Sequence, residues 1–343
     1  MINGLKFIPI VFTCLLISNS VLAQKTDLIF LNNGDRVTGE IKELSYGKIR
    51  LSTGDIGTIY VEWDKIERII SDKVFEVELQ FGTVYYGTIG VASDRRKMAV
   101  IGETQTFDLY RAFVVSIRPI RDTFLQRLDG SISLEFNITK TTGVKQLILG
   151  GSAMYQSRVW TQSVSFNGQL TSQPEKDDSR RADLNYQAIR YLSNRWFGAG
   201  QTALEQNTEQ GIDLRASLGA GGGRKLIQTN HMRLYTFVLL SGTRESIRDS
   251  SGVRYNMELP VKSMFRVFMF DDPKTDITIN LGVFPNLSNL ERLRMELDSK
   301  LEYEFIKDFS ARLNFYYTYD TKPPSATASK EDYTLSTGFV WKF

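Results

Sequence analysis

The sequence predicts an all-β protein, with an antiparallel transmembrane β-barrel of about twelve strands preceded by a small duplicated β-module. Three observations predict this fold class: an export signal, a segment that repeats itself, and a long region in which apolar and polar residues alternate with the two-residue period of a strand. The predicted organisation is a signal peptide over residues 1–23, a periplasmic tandem-repeat β-module over 24–120 and an outer-membrane β-barrel over 121–343.

The first segment has the layout of a secretory signal peptide. Lys6 precedes the apolar run Phe7–Ile17, and the segment ends on the small residue Ala23, which suits signal-peptidase cleavage. A retained membrane anchor is the alternative, but the apolar run is shorter than the roughly 20 residues that span a bilayer, and Pro9 interrupts it. The only cysteine, Cys14, lies inside this segment, so the mature chain is expected to use neither disulfides nor thiolate metal sites.

Charge and hydropathy exclude two classes of protein. The formal net charge is +3 and acidic and basic residues are mixed along the chain, so the sequence lacks the basic field by which proteins displace counterions from nucleic acid. We therefore expect no nucleic acid as a partner. No stretch after the signal is apolar for long enough to be a membrane helix, so this exported chain would enter a membrane only as a barrel, which needs one apolar face per strand.

The predicted module contains a repeat with an offset of 48 positions. Leu31–Gly34 recurs as Leu79–Gly82, and Gly39–Ile41 recurs as Gly87–Ile89. Short β-branched and aromatic runs separated by Gly, Asn and Asp predict small, strongly bent sheets of the SH3-like or Sm-like kind. Trp63 is expected to be a core residue of such a fold. We expect the module to be a periplasmic spacer or a docking site for an unidentified periplasmic partner.

The clearest strand of the barrel region lies between Glu291 and Phe305. Apart from Ser299, one face is apolar: Leu293, Met295, Leu297, Leu301, Tyr303 and Phe305. The other face is charged throughout: Arg292, Arg294, Glu296, Asp298, Lys300, Glu302 and Glu304. Such a row is costly in lipid or in a dry core, so we predict that these side chains line a wet lumen. Glu302 and Glu304 have a spacing that could hold a cation, but the neighbouring Lys300 and Arg294 favour a charge-balanced filling of the lumen.

About twelve segments that alternate in this way follow one another between residues 131 and 343, among them 254–268 and 292–305. An even count is typical of bacterial barrels. The polar segments between them differ in length, since 173–180, 243–252 and 320–332 are long whereas 193–195 and 306–310 are short. Long loops are expected outside the cell and short turns in the periplasm, which places both ends of the barrel, and the module, on the periplasmic side.

The last predicted strand has one largely apolar face, formed by Tyr333, Leu335, Thr337, Phe339, Trp341 and Phe343. Phe339, Trp341 and Phe343 are predicted to form the signal that the barrel-assembly machinery recognises, and outer-membrane lipid is the other expected partner. A large soluble β-sandwich or an open twisted sheet is the alternative, because its strands also alternate. Such a protein would rarely supply both the charged row and the terminal aromatic residues.

The middle of the barrel region resembles a known family. The residues that carry the resemblance are Arg195–Phe197, Leu204–Asn207, Gln210–Arg215, Leu218–Gly223 and Leu226–Ile227. Together with the opening Leu31–Ile41, they are similar to the salt-induced outer membrane protein family, also called domain of unknown function 481. The first hairpin departs from the family, since it reads Thr139–Gly143 where members often carry a Gly-Asn pair. The resemblance implies an outer-membrane protein linked by name to salt stress, and it carries no established activity.

No residue pattern predicts catalysis. His231 is the only histidine, and phospholipases and deacylases built on barrels place a serine two residues after such a histidine, where this chain has Arg233. We interpret His231 as a turn or interface residue, and we expect no catalytic residue, no cofactor and no metal site. Three functions stay open: a non-enzymatic envelope protein, a narrow diffusion channel for small solutes, and a lipid-modifying enzyme.

Overall fold

The computed structural model describes residues 26–120, 124, 127–174, 176–208, 212–247, 253–271, 273–322 and 329–341. The predicted signal peptide over 1–23 lies outside these residues. The described residues form two antiparallel sheets and three short 3₁₀ helices. The predicted fold class, a large antiparallel sheet preceded by a small β-module, is therefore confirmed. No helix in these ranges is long and apolar enough to cross a membrane.

The small sheet forms the module and contains nine strands: β1 (Asp27–Leu31), β2 (Arg36–Ser45), β3 (Lys48–Ser52), β4 (Thr58–Glu62), β5 (Ile66–Leu79), β6 (Val84–Gly90), β7 (Lys97–Ile101), β8 (Thr106–Tyr110) and β9 (Val114–Pro119). The strand order is β4-β3-β2-β1-β5-β6-β7-β8, and β9 pairs with both β2 and β5. The 3₁₀ helix Trp63–Lys65 lies between β4 and β5, and the 3₁₀ helix Arg111–Phe113 lies between β8 and β9.

The long strand β5 is shared by the two halves of the module. Its first part pairs with β1, whereas its second part, Phe75–Leu79, pairs with β6 and β9. Apolar side chains from both halves, such as Ile41 and Ile117, meet in one buried cluster. Trp63 belongs to this cluster, as expected, and its indole Nε1 donates a hydrogen bond to the carbonyl oxygen of Arg111 at 2.8 Å. One continuous core therefore holds the two halves together.

Asp27 is the buried polar centre of the module. Its carboxylate accepts hydrogen bonds from the Ile41 backbone N–H at 2.7 Å and from the Ser71 hydroxyl at 2.5 Å, and the Lys73 ammonium lies 3.5 Å away. We predict that Asp27→Ala leaves two buried donors without a partner and lowers the free energy of unfolding of the module by about 2–4 kcal/mol. Hydrogen exchange of the module amides measures this loss. Exchange no faster than in Asp35→Ala, a change at an exposed turn, would contradict the prediction.

The large sheet contains thirteen strands: β10 (Leu128–Thr139), β11 (Val144–Gln156), β12 (Trp160–Gln173), β13 (Lys176–Tyr191), β14 (Trp196–Asn207), β15 (Ile212–Gln228), β16 (Met232–Ile247), β17 (Val253–Glu258), β18 (Val261–Met269), β19 (Thr275–Pro285), β20 (Leu293–Ile306), β21 (Phe309–Asp320) and β22 (Glu331–Trp341). The third 3₁₀ helix, Ser193–Arg195, joins β13 to β14. Strands that follow one another in the chain pair antiparallel, except at β17.

The thirteen strands make twelve passes across the sheet. β17 and β18 both pair with β16 and are separated by Leu259 and Pro260, so they are two parts of one pass. Pro260 has no backbone N–H to donate, which explains the interruption. Because the number of passes is even, β10 and β22 run antiparallel to one another at the two ends of the strand order. Over the described residues, no pairing joins these two strands.

The two faces of the large sheet differ in polarity. Cross-strand pairs such as Leu297 with Tyr317 place apolar side chains on the outer face, which is turned away from the module. Some of these side chains are strongly exposed, with Ile132 at 68% and Leu218 at 67%. The inner face carries the charged and hydroxyl side chains. Water-soluble proteins seldom expose an apolar surface of this extent, so the outer face needs an apolar environment.

Short turns gather at one end of the large sheet. They join β11 to β12, β13 to β14, β15 to β16, β18 to β19 and β20 to β21. The small sheet lies against this end, and β10 also starts there. The last residue of β16, Ile247, and the first residue of β17, Val253, lie at the opposite end. The module is thus placed over one mouth of the curved sheet.

Candidate functional site

The hairpin turn between β2 and β3 enters the mouth of the large sheet. Tyr46 and Gly47 have φ angles of 51° and 66°, which close β3 onto β2 in a two-residue turn. The centroid of the Tyr46 ring lies 3.8 Å from the guanidinium carbon of Arg233, 5.0 Å from that of Arg266, and 5.6 Å from the ring centroid of Phe268. Two cations and one aromatic ring from β16 and β18 therefore hold the tyrosine in place.

Two turns of the large sheet also hold the module. In the β15–β16 turn, the buried Asn230 side-chain amide donates to the carbonyl oxygen of Val114 at 2.8 Å. In the β18–β19 turn, the Asp271 carboxylate pairs with the Lys65 ammonium. Val114 begins β9 and Lys65 ends the first 3₁₀ helix, so the two turns contact both halves of the module.

Two further ion pairs lie close to this contact. Lys225 of β15 lies 3.3 Å from the Glu78 carboxylate, and Arg118 of β9 pairs with Glu76 at 2.6 Å. The Tyr191 ring centroid lies 5.3 Å from the Lys225 ammonium and 5.4 Å from the Arg118 guanidinium carbon. Burial lowers the pKa of Arg118, but Glu76, Tyr191 and Glu78 outweigh that effect and leave the pKa above its ordinary value. Arg118 therefore stays charged, and its charge is matched by Glu76.

A chamber of ≈ 500 Å³ lies between the module and the inner face of the large sheet. The module contributes Glu43, Leu44, Ser45, Tyr46, Glu78, Ser116 and Arg118, and β11 to β16 and β18 contribute the remaining wall. Aromatic rings and glutamine amides dominate that wall: Tyr191, Tyr235, Phe237, Gln187, Gln201 and Gln228. Gln187 and Gln201 also line a second cavity of ≈ 670 Å³ on the inner face of the sheet. The chamber therefore adjoins the space enclosed by the large sheet.

Small polar side chains form part of the wall of the second cavity: Ser131, Ser152, Ser163, Ser165, Asn185 and Ser217. Ser131 and Ser152 share a hydrogen bond at 3.1 Å across β10 and β11. Small hydroxyl side chains leave free volume and offer hydrogen bonds to water. This half of the inner face is therefore open to water rather than filled by its own side chains.

The structure places six residues of the predicted charged row on the inner face of β20: Arg294, Glu296, Asp298, Lys300, Glu302 and Glu304. Arg292 lies one residue before β20 and pairs with Asp320 of β21 at 2.7 Å. Other members are paired as well: Arg294 with Glu296 at 2.8 Å and with Glu258 at 3.4 Å, Glu302 with Arg312 at 2.9 Å, and Glu304 with Lys274 at 3.1 Å. The row is thus tied to neighbouring strands by opposite charges.

The residues predicted as an assembly signal lie at the end of β22. Phe339 and Trp341 are on the outer face, where the Phe339 ring stacks on Phe309 at 5.8 Å. Phe343 lies outside the described residues. Both described aromatic residues are therefore available to an apolar environment, since they are exposed in the structure.

His231 lies in the β15–β16 turn, where its Nε2 is 3.5 Å from Asp64 Oδ2 in the module. The imidazole and the carboxylate are both half exposed. Across the part of the chain that the structure describes, no group of three or more His, Cys, Asp or Glu residues is placed to hold a metal ion. The position of His231 is that of a contact residue between the two sheets.

A family model described as "Protein of unknown function, DUF481" matches residues 139–343, which is more than half of the chain. The chain belongs to the DUF481 family. The match begins at the last residue of β10, so the DUF481 region is the large sheet from β11 onward, and the module lies outside it. No curated protein matches the chain. A solved structure described as "Bacterial polysaccharide outer membrane secretin" is similar at 7% identity and a TM-score of 0.37, over 79% of this chain and 96% of that one.

Sequence patterns do not predict the contact between the DUF481 sheet and the module. The repeat and the alternation predict two sheets, but neither indicates which side chains meet between them. Arg233 is one of 42 basic residues, and no pattern along the chain marks it as the one that lies buried over Tyr46 of the module. The sequence does offer one signal for Tyr46, since the Tyr46-Gly47 pair between two strands is a hairpin turn that presents an aromatic ring at its tip.

Proposed function

We propose that the chain is a non-enzymatic outer-membrane β-barrel protein whose periplasmic mouth is closed by its own N-terminal module. The observation that carries the proposal is the insertion of Tyr46 among Arg233, Arg266 and Phe268 at the mouth of the DUF481 sheet. Family membership and the all-β fold support an uncharacterised envelope protein. A link to salt or osmotic stress is part of the proposal and rests on the sequence resemblance alone.

The polarity of the two faces supports a membrane location. Barrels of the outer membrane alternate between apolar side chains toward lipid and polar side chains toward the lumen, and they carry short turns on the periplasmic side. The large sheet has both features, and the module lies at the end with the short turns. The module would then reside in the periplasm, where an unidentified partner could reach its outer surface.

We further propose that the module arose by duplication of an SH3-like unit. β4 and β8 begin at Thr58 and Thr106, and the 3₁₀ helices that follow begin at Trp63 and Arg111, an offset of 48 residues in both cases. Equivalent elements at a constant offset are what a duplicated unit produces. The proposal extends to assembly, in which Phe339 and Trp341 of β22 would be recognised by the barrel-assembly machinery.

Membrane fractionation followed by a heat-modifiability gel tests the membrane location. A folded barrel resists detergent and migrates differently before and after boiling. We expect the protein in the outer-membrane fraction, with a band that shifts on boiling. A protein in the soluble periplasmic fraction, with no shift, would reject the barrel and favour a periplasmic sandwich.

A narrow diffusion channel is the second candidate, and the open cavity with its serine wall favours it. If the protein is such a channel, the module acts as its gate, because it covers the mouth into which the cavity leads. We expect planar bilayers that contain the wild-type protein to show rare, small conductance steps. A complete absence of openings, even after the module is displaced, would leave the closed envelope protein as the better description.

The lipid-modifying enzyme gains no support from the described residues. His231 lies beside Asp64 of the module, and no serine hydroxyl is hydrogen-bonded to its ring among the contacts of the described chain. The enzyme hypothesis predicts that purified protein releases fatty acid from phospholipid. Equal product from the His231→Ala variant would exclude a role of His231 in such a reaction.

A further inference from the structure

Arg233 is a buried cation without a counter-ion among the described residues. The residue is only 7% exposed, and no carboxylate oxygen of the described residues lies within 4.0 Å of its guanidinium. Arginine does not release its proton in proteins, so it cannot avoid burial of the charge in that way. A buried charge that lacks an opposite charge destabilises the fold. The protein would gain stability if an anion paired with this charge.

The other cations around the chamber have carboxylate partners: Lys225 with Glu78, Arg118 with Glu76, Arg50 with Glu43, and Arg266 with Asp276. Arg233 instead lies over the Tyr46 ring and donates one long hydrogen bond, 3.4 Å, from Nη1 to the Tyr235 hydroxyl. Its Nε is buried and has no hydrogen-bond partner. The chamber thus carries one positive charge beyond its ion pairs, and Arg233, which bears that charge, is among the residues that line the chamber.

Gln228 gives a second, independent observation. It is the cross-strand neighbour of Arg233 in the β15–β16 pairing, so the two side chains stand beside one another on the same face. Gln228 is 3% exposed, and its side-chain oxygen has no hydrogen-bond partner. A buried amide oxygen without a partner requires a donor, such as a hydroxyl group. Both residues line the chamber, so one molecule could satisfy both.

We propose that the chamber binds a small organic anion that carries hydroxyl groups, such as a sugar acid. Its carboxylate would pair with the Arg233 guanidinium, and one hydroxyl would donate to the Gln228 oxygen. The rings of Tyr191, Tyr235 and Phe237 offer apolar faces against which the carbon skeleton of the ligand packs. The ≈ 500 Å³ of the chamber lies within the roughly 300–1,000 Å³ range of small-molecule pockets, so its volume suits a single sugar acid.

The site depends on the proposed lumen path only for access. A solute that enters the second cavity reaches the chamber past Gln187 and Gln201, which line both spaces. Binding to purified protein needs no conduction, and conduction needs no binding. The two proposals can therefore fail separately.

Isothermal titration of the full chain in detergent tests the site, with glucuronate as the probe and glucose and inorganic phosphate as comparisons. We expect saturable binding of one glucuronate per chain. Glucose lacks the carboxylate and phosphate lacks the carbon-bound hydroxyls, so each should bind about tenfold more weakly or worse. No glucuronate binding in the wild type would overturn the proposal, and phosphate that binds as tightly as glucuronate would reject the hydroxyl-bearing class.

Three variants show whether Arg233 is responsible. Arg233→Gln should lose glucuronate binding by at least about tenfold, and Arg233→Lys should restore part of it because the charge returns. Arg266→Gln is the matched control, since Arg266 also contacts Tyr46 but is already paired with Asp276. All variants must show the wild-type shift in the heat-modifiability gel. Loss of binding in Arg266→Gln equal to that in Arg233→Gln would indicate a general disturbance of the mouth and overturn the assignment.

Discussion

Replacing Gly47 with alanine is expected to release the module from the mouth of the large sheet. A Cβ at this position would lie 2.5 Å from the carbonyl oxygen of Asn230, and that oxygen belongs to the backbone of a short turn that cannot withdraw easily. The clash falls at the centre of the contact between the two sheets. We expect the open fraction in planar bilayers to rise by about tenfold or more, which corresponds to about 1.4 kcal/mol of lost docking free energy.

The matched control is Gly57→Ala. Gly57 has φ +73°, close to the +66° of Gly47, so alanine causes a similar backbone strain at both positions. Nothing lies within 4 Å of a Cβ at Gly57, so the control lacks the clash. Protease digestion of the module in the two variants supplies a second readout. Equal conductance and equal protease resistance in the two variants would show that the module does not close the mouth.

Arginine in place of Leu240 is expected to prevent stable assembly in the membrane. Leu240 lies in the middle of β16 on the outer face and is 49% exposed. In hydrocarbon, arginine near the midplane of a barrel wall costs about 2–4 kcal/mol, whereas on a protein surface in water the same change costs within about 0.5 kcal/mol. The variant therefore separates a membrane barrel from a soluble sheet by its yield in the outer-membrane fraction and by its denaturant midpoint in lipid vesicles.

Ser241→Arg controls for the introduction of a large cation into β16. Ser241 is the next residue of the same strand, points to the inner face, and stands opposite Gly219 and Glu258 in the neighbouring strands. A new arginine there lies on the polar inner face beside the acidic cross-strand neighbour Glu258, so assembly should be close to that of the wild type. If both variants assemble normally, the outer face does not contact lipid and the membrane proposal fails.

Much of the fold can be predicted from the period-two pattern. The strand predicted over 292–305 is observed as β20, Leu293–Ile306, because apolar and charged residues alternate through its whole length. Alternation is strong wherever one face must be apolar and the other wet. It therefore predicts where each strand lies in the sequence and which face each of its side chains occupies. The predicted strand over 254–268 instead consists of β17 and β18, because Pro260 cannot donate a ladder hydrogen bond.

The candidate site is predicted far less well. Its parts come from distant positions, since Tyr46 lies in the module and Arg233 in the DUF481 sheet. Local patterns report the neighbours of a residue along a strand, but the docking of two sheets depends on shape and charge across both surfaces. The charged row illustrates this difference. Alternation predicts that its side chains share one face of the sheet, whereas the pairing of Arg292 with Asp320 depends on the register of β20 and β21.

The unpaired edges of β10 and β22 have a consequence for biogenesis. Hydrocarbon offers no partner for a bare backbone N–H or carbonyl group, and each one costs several kcal/mol there. These two edge strands are the first and the last of the large sheet to leave the ribosome. Until β10 and β22 pair with one another, the sheet keeps two edges that hydrocarbon cannot satisfy. We therefore expect insertion only after translation of β22, and until the two strands meet each edge requires a chaperone or a temporary strand donor.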